Sequence, residues 1–401
     1  MDSGTRDYDV AVLGAGLVGL SLAASLARAG MRVAIVDRSN VDASNVNVAP
    51  GSPTDEDSDA RVYAVSPGSA AFLSGIGAWQ RLREDRLSSI ESMDVRGDAG
   101  GKLTFSAYEL GERALAWVVE NRELHAALVA SVRDTPGIDV LASRTPASIA
   151  WSTGAAELRF DGGDALSSRL IVGADGVRSW TRAQAGMHHD PRPYAQTAVV
   201  ANFASEHAHR GRAFQWFLPD GGVLAWLPLP GRRISMVWSA PEPLAHELLA
   251  LDGIALAERV ALAGTRALGA LTTITAPASF PLSLLRLPSV IAQRLALVGD
   301  AAHGVHPLAG QGVNLGFGDA AVLSSILADR GAIRDPGSSL LLQRYARRRL
   351  EPVLAMQSVT DGLVRLFGSR LPWIATLRNR GMSLVGSLGP LKRLLAQPAL
   401  R

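Results

Sequence analysis

The chain has 401 residues, 47% hydrophobic and 19% charged, with 40 glycines, 21 prolines and no cysteine. That length allows two packed domains, and the missing cysteines exclude a disulfide scaffold, a thiolate metal site and a thiol nucleophile. Of the 40 basic residues only Lys102 and Lys392 are lysine, and the formal charge is +3. The arginines are scattered apart from Arg347-Arg348-Arg349, with no basic stripe interleaved with aromatics, so nucleic acid is not an expected partner.

Val10 to Ala27 carries no charge, but Asp2, Asp7 and Asp9 outnumber Arg6 before it and Gly14, Gly16 and Gly19 interrupt it. Neither a signal peptide nor a membrane span fits, and a cytoplasmic or peripherally attached chain is expected. Periodicity predicts a strand over Asp9 to Leu13, a glycine turn, a helix from about Leu17 to Ala29 and a strand over Arg32 to Val36, which begins a βαβ unit. Ser39 to Asp59 reads as a polar exposed loop. Ser66-Pro67 opens a helix, and Asn121 is expected to cap another whose Leu124, Leu128 and Val132 share a face. Strand-like pieces follow at Ile138 to Leu141, Glu157 to Phe160 and Arg169 to Gly173. Thr197 to Trp238 reads as a mostly antiparallel sheet with a hairpin at Pro219-Asp220-Gly221-Gly222. Arg294 to Val298 is a strand, and a helix spans about Val313 to Leu327. Beyond Leu340 the pattern is helical, with breaks expected at Pro352, Gly362 and Pro372. There is no internal repeat.

Three glycine-rich passages carry the chemistry. Gly14-Ala15-Gly16-Leu17-Val18-Gly19 follows a strand, opens a helix and is trailed by Asp37 and Arg38 at the end of the next strand. In such a loop the first glycine makes the tight turn, the second lets backbone approach a pyrophosphate and the third lets helix and strand pack closely. The helix N-terminus faces the phosphates while the acid accepts from a ribose hydroxyl. This motif alone does not separate FAD from NAD. Val172-Gly173-Ala174-Asp175-Gly176-Val177-Arg178-Ser179 puts a carboxylate at the tip of a strand-to-turn junction, a pattern that in isolation is also an ordinary Asp-Gly turn. The third passage is Gly299-Asp300-Ala301-Ala302-His303 and then Pro307-Leu308-Ala309-Gly310-Gln311-Gly312-Val313-Asn314-Leu315-Gly316. It joins a strand, a carboxylate and a second helix N-terminus, whose positive end would stabilise the anionic edge of a reduced flavin; this favours flavin over nicotinamide. Gly310-Gln311-Gly312 is not a second dinucleotide turn, because Pro307 stands where its strand should be.

In this order and at these distances the motifs resemble the FAD-binding signatures of class A flavoprotein aromatic hydroxylases, the family with the p-hydroxybenzoate hydroxylase fold. Within it the chain is most similar to the ubiquinone-biosynthesis hydroxylases. The shared stretches are Asp59-Ala60-Arg61-Val62-Tyr63-Ala64-Val65, Glu120-Asn121-Arg122-Glu123-Leu124, Gln196 to Ala201, Leu227-Pro228-Leu229, His306 to Gly316, Arg344 to Arg349 and Pro390-Leu391-Lys392. Asp37 stands where glutamate is usual, Trp216 where arginine tends to precede Phe217, and Gly222 where proline tends to stand.

The resemblance implies a mixed α/β fold with a discontinuous Rossmann-like FAD-binding domain (1–75, 101–185, 286–333), a β-rich substrate domain (76–100, 186–285) and a helical C-terminal region (334–401). It implies that Gly14, Ala15, Gly16, Leu17, Val18, Gly19, Asp37 and Arg38 hold the ADP half of FAD, with Arg61 and Arg122 along the pyrophosphate. Asp175 and Asp300 would lie at the pyrophosphate and ribityl chain, and Gly312, Val313 and Asn314 at the isoalloxazine, with Pro307 lining the pocket on its reactive face. The implied activity takes a hydride from NAD(P)H, reacts the reduced flavin with O2 and passes one oxygen from the C4a-hydroperoxide to the ring of a polyprenylated phenol. No metal is implied and no catalytic acid or base can be named from the sequence. His303 and His306 each read either as a hydrogen-bonder of the glycine-rich backbone or as a proton carrier. Trp216, Phe217, Trp226 and Trp238 read either as pocket wall or as sheet core. The C-terminal helices set Arg344, Arg347 to Arg349, Arg365, Arg370, Arg378, Arg380 and Arg393 beside Phe367 and Trp373, a mixture suited to peripheral contact with the inner face of an anionic membrane, or to a helical tail with solvated arginines. Other quinone-biosynthesis proteins are the partners this implies. A hydroxylase of a small soluble phenol and a non-catalytic FAD-binding scaffold are the rival readings.

Overall fold

The computed structural model describes residues 6–41, 59–331, 334–369, 371–387 and 392. Most of the expected loop between Ser39 and Asp59, together with Arg370, Pro390-Leu391 and Arg393, lies outside the described residues. In chain order come β1 (Arg6–Leu13), α1 (Leu17–Arg28), β2 (Val33–Val36), β3 (Val62–Val65), α2 (Pro67–Gly75), β4 (Ser88–Ile90), β5 (Ser92–Arg96), β6 (Lys102–Ser106), α3 (Ala107–Leu110), β7 (Ala116–Glu120) and α4 (Asn121–Arg133). Next are β8 (Ile138–Leu141), β9 (Pro146–Trp151), β10 (Ala156–Phe160), β11 (Ala165–Gly173), α5 (Trp180–Gln184), β12 (Arg192–Ser205), β13 (Arg212–Phe217), β14 (Val223–Leu229) and β15 (Arg233–Pro241). The last are α6 (Glu242–Ala250), α7 (Gly253–Ala263), β16 (Leu271–Thr273), β17 (Ala278–Leu284), β18 (Ile291–Ala292), β19 (Leu295–Leu297), α8 (Gly312–Ala328), α9 (Ser339–Gly368) and α10 (Pro372–Ser387).

Among the described residues the strands form three sheets. The first has the parallel order β19-β11-β1-β2-β8, with β18, β10 and β9 added antiparallel. It is buried on both faces, which is why its strands read as unbroken apolar runs. Val10 and Val12 pack under α1, α4 and α8, while Ala11 and Leu13 face Ile149 and Leu158 on the other side. The second sheet, β16-β12-β15-β14-β13-β5-β6 with β17 on β12, is antiparallel except where β5 joins β13. The third is the small set β3-β7-β4.

Several sequence expectations are corrected. Asn121 is the first residue of α4 rather than its cap, because Glu120 is still paired with Val62 in the sheet and the Asn121 N–H donates to the Arg61 carbonyl. The boundary expected at residue 101 falls inside a hairpin, since β6 pairs with β5 in the second sheet. Neither Pro352 nor Gly362 breaks α9. Both stand on its exposed side, so the carbonyl that Pro352 leaves without an N–H faces water. Instead α9 ends at Gly368 and α10 starts at Pro372. Sequence reading did not identify α6 or α7, and these helices decide where the aromatics go. They cover one face of the second sheet, where Trp216, Trp226 and Trp238 are buried with Phe203, Met236 and Leu256. Phe217, one residue on, points to the opposite face and stacks on Phe367 of α9 at 3.7 Å between ring centres. The three tryptophans are therefore core, and only Phe217 faces the other way.

The fit of α7 over this core is tight. A Cβ on Gly264 would come within 2.1 Å of the Trp226 ring, whereas one on Gly154 would meet nothing within 4 Å. Gly264→Ala should therefore cost ~1–3 kcal/mol in urea unfolding by overpacking, while Gly154→Ala should stay within about 0.5 kcal/mol of the parent.

Candidate active site

The first glycine loop connects β1 to α1. Gly14 has φ +110° and a Cβ there would strike the Ala174 carbonyl at 2.4 Å; a Cβ on Gly19 would strike the Gly14 carbonyl at 2.0 Å. Both glycines serve packing within the protein. Gly16 is different: a Cβ there would meet nothing within 4 Å, and no side chain caps α1. The loop thus presents bare backbone and a free helix N-terminus to open space, which is what a pyrophosphate requires. It is clamped at Ala15, whose N–H donates to Asp37 Oδ2 at 2.7 Å and whose carbonyl accepts from His125 Nε2 at 3.0 Å. Asp37 Oδ1 accepts from the Ser39 N–H and hydroxyl, and Arg38 is exposed beside it. His125 was not singled out from the sequence.

The second helix N-terminus lies against the first. A Cβ on Gly316 would sit 2.5 Å from Val18 Cγ2, and Gly299 also packs on Val18, so the first turns of α1 and α8 meet. No side chain caps α8, and Gly312 is open. Gly299, at φ +59°, carries Asp300 on a single 3₁₀ turn after β19. Asp300 is open to solvent, yet burial pushes its carboxyl up, against the charges of His303 and Arg61 and with Asp319 adding to the rise. Both hold at once for a group in the wall of a recess. Burial also raises Tyr63, with Arg61 opposing and Asp300 and Asp59 adding, so Arg61, Tyr63 and Asp300 share one electrostatic neighbourhood. Asp59 accepts from the backbone N–H groups of Arg61 and Arg122 and brings these two arginines to the same edge.

Two of the residues expected at the cofactor have side chains that bond within the protein. The Asp175 carboxylate is occupied locally, accepting from Ser179 Oγ at 2.5 Å and from the Thr181 N–H and hydroxyl at 2.8 and 2.9 Å, so it organises the start of α5. The Asn314 side chain is a stitch between α8 and β3, accepting from the Ser66 N–H at 3.0 Å and donating to the Ala64 carbonyl at 2.8 Å. The His303 N–H donates to the Gly299 carbonyl at 3.0 Å, but the rings of His303 and His306 bond to side chains. His303 Nε2 lies 2.6 Å from Asp319 Oδ2, which also accepts from the Gly299 N–H at 2.8 Å, while Asp319 Oδ1 accepts from Arg349 Nε at 2.6 Å. Burial alone would raise the Asp319 carboxyl, but His303, Arg349 and the Gly299 amide hold it below the usual range. His306 Nε2 donates to Gln196 Oε1 at 2.9 Å, an orientation set by Gln196 Nε2 donating to the Gly221 carbonyl at 3.0 Å. Pro307 is half-buried, and Leu308 after it packs on Phe217 and Phe367, which seats this passage against the second sheet.

Two bare helix N-termini, an open glycine and flanking carboxylates fit FAD. A family model described as FAD binding domain matches residues 7–360. The chain belongs to this family. Ubiquinone hydroxylase UbiL of Rhodospirillum rubrum is 35% identical over 401 residues, covering 99% of this chain and 90% of that protein. The 3-demethoxyubiquinol 3-hydroxylase of Escherichia coli is 31% identical over 393 residues, 98% of each. Among solved structures, Pseudomonas aeruginosa PqsL in complex with 2-aminobenzoylacetate shares the fold at TM-score 0.77 and 23% identity, covering 94% of this chain and 99% of that one. The protein is an FAD-dependent monooxygenase with the mixed α/β fold of that group, and NAD(P)H dependence is typical of the family.

Two outcomes follow from the geometry. Gly16→Ala should leave the thermal midpoint of the apoprotein unchanged, since the added methyl touches no protein atom, but should weaken FAD binding at least about tenfold in a fluorescence titration. Burial pushes His306 down to about 4, with Asp361 opposing. The unfolded chain therefore binds a proton from pH ~6.5 downward that the folded protein refuses until about 4, so stability is lost as pH falls through that window, by roughly 3 kcal/mol in all. Unfolding free energies of wild type and His306→Asn should converge or cross by that amount between the two ends of the window, and parallel curves would contradict it.

Proposed function

We propose that the protein hydroxylates the aromatic ring of a polyprenylated ubiquinone precursor. The observation that carries this reading is the extent of the likeness: relatives named for ubiquinone hydroxylation match end to end, through the glycine loops and the second sheet alike. When bound, FAD supplies the redox chemistry: NAD(P)H, a proton and O2 are consumed as a ring C–H becomes C–OH, with water as the second product. The chain supplies grip, placement and dryness. Gly16 and the first turns of α1 and α8 hold the pyrophosphate and the flavin, with Asp37, Arg38, Arg61, Arg122 and Asp300 along the edges of the groove. Packing of Leu308 on Phe217 and Phe367 closes one side of the Pro307 passage against water.

The same reading extends to peripheral membrane contact. No described helix is long and apolar enough to cross a membrane. Arg349 and Arg378 are not surface groups: they are buried in ion pairs with Asp319 and Asp98. The Asp98 pair and Asn379 hold one face of α10 on the β5–β6 hairpin, leaving Trp373, Leu377 and Leu384, at 64%, 63% and 60% exposure, on the opposite side with Arg380. An apolar stripe with a cation in it suits an anionic bilayer surface. Flotation with anionic liposomes should recover wild type but not the variant carrying Trp373→Ser, Leu377→Ser and Leu384→Ser, and equal recovery would sink the membrane contact.

The function itself is tested by the quinone-pathway lipids of cells lacking the protein. A prenylated ring one oxygen short should accumulate and disappear when the intact chain is restored. Restoration by an Asp300 variant that holds no FAD would instead support the scaffold, and an unchanged profile would support the soluble-phenol enzyme.

A further inference from the structure

Tyr345, Arg349, Val353 and Gln357 form one ridge of α9, each a turn beyond the last. Three of them are buried and bonded to the body of the protein: Tyr345 Oη donates to the Leu297 carbonyl, Arg349 Nε to Asp319, and Gln357 Nε2 to the Leu285 and Gly304 carbonyls. Val353 stands in the same ridge and is only half-buried. It lines a recess of about 290 Å³ between α9 and the segment from Arg286 to Ile291 that leads from β17 into β18. The walls are apolar, with Leu287, Val290 and Ile291 on one bank and Leu350, Val353 and Leu354 on the other. The rim carries one exposed guanidinium on each bank, Arg286 and Arg347. Arg286 Nε donates to Gln357 and Arg347 to Gln343, and among the described residues neither arginine is in an ion pair. Glu351, one turn beyond Arg347, does not line the recess.

We propose that this recess binds an amphiphilic anion, a single acyl chain lying between the apolar banks with its carboxylate on Arg286 and Arg347. Charge decides the head group: two guanidiniums without counter-charges at one mouth repel a cation and gain from an acid. The walls decide the body, because a chain laid along Val353 and Leu350, the latter 59% exposed, takes apolar surface out of water. The floor neither repels the ligand nor requires it, since the Asp319 carboxylate that lines it is already met by Arg349 and His303. At this volume, the small end for ligand sites, a medium-length chain fits rather than a long isoprenoid one. The site is separate from the cofactor groove, for Gly16, Gly312 and Asp300 do not line it.

The test is calorimetric titration of the FAD-loaded chain with decanoate, decanol and decyltrimethylammonium, each below its micelle concentration. Wild type should bind one decanoate per chain at least about tenfold more tightly than decanol or decyltrimethylammonium, with the affinity falling as salt is raised. The double variant Arg286→Gln, Arg347→Gln should bind decanoate no better than decanol while keeping its FAD content and thermal midpoint. Leu350→Glu, at an exposed position, should weaken decanoate about tenfold by setting a like charge at the rim, and it decides where the double variant loses FAD. Equal wild-type affinity for decanoate and decanol would overturn the proposal, as would decanoate binding that neither variant weakens. A wild type that binds no decanoate and sediments as a dimer split by Leu350→Glu would give the recess to a second copy of the chain. One that binds anionic phospholipid vesicles through the two arginines, but no decanoate, would give it to a membrane surface, and either result overturns the acyl site.

Discussion

The buried carboxylate of Asp319 is the constraint on which the site depends. An isolated carboxylate in that position would be expelled or neutralised, so its ionised form persists only because three donors converge on it, two from the Gly299–His303 passage and one from α9. The Gly299 amide fixes the left-handed turn that presents Asp300. His303 anchors the start of the passage leading to His306 and Pro307, and Arg349 ties α9 to α8, donating also to the Leu315 carbonyl. Two other side chains of α9 join it, Tyr345 Oη donating to the Leu297 carbonyl and Gln357 Nε2 to the Gly304 carbonyl, so α9 is bonded on both sides of the turn that carries Asp300.

A second constraint is the alternation of the second sheet. One residue of difference separates Trp216, sealed under α6 and α7, from Phe217, which meets Leu308 beside α8. The same strands therefore build a dry hydrophobic core on one side and a sparsely filled, partly polar surface on the other.

Much of this was legible in the sequence because the determinants are local. The strand, glycine loop and helix around Gly16, the Ser66-Pro67 helix start, where Ser66 Oγ accepts from the Ser69 N–H, and the 219–222 hairpin all follow from neighbouring residues. What escaped depends on partners far along the chain. Asp175 and Asn314 carry the right chemistry for a ligand, but their polar groups are occupied by Thr181 and by Ser66 and Ala64, which spacing cannot reveal. The sheet faces were ambiguous because the covering helices had not been recognised. Asp319 did leave a signal: it is the one charged residue in the apolar run of α8, and a lone carboxylate there requires buried partners.

The central claim is that this chain uses bound FAD to place one atom of molecular oxygen on the aromatic ring of a ubiquinone precursor. The most direct measurement is single-turnover reaction of the FAD-loaded enzyme with NAD(P)H, a prenylated phenol and isotopically labelled O2, followed by mass spectrometry of the ring product. The account predicts one labelled oxygen in the new ring hydroxyl for each NAD(P)H consumed in coupled turnover. Consumption of NAD(P)H that yields hydrogen peroxide and an unlabelled ring would contradict it.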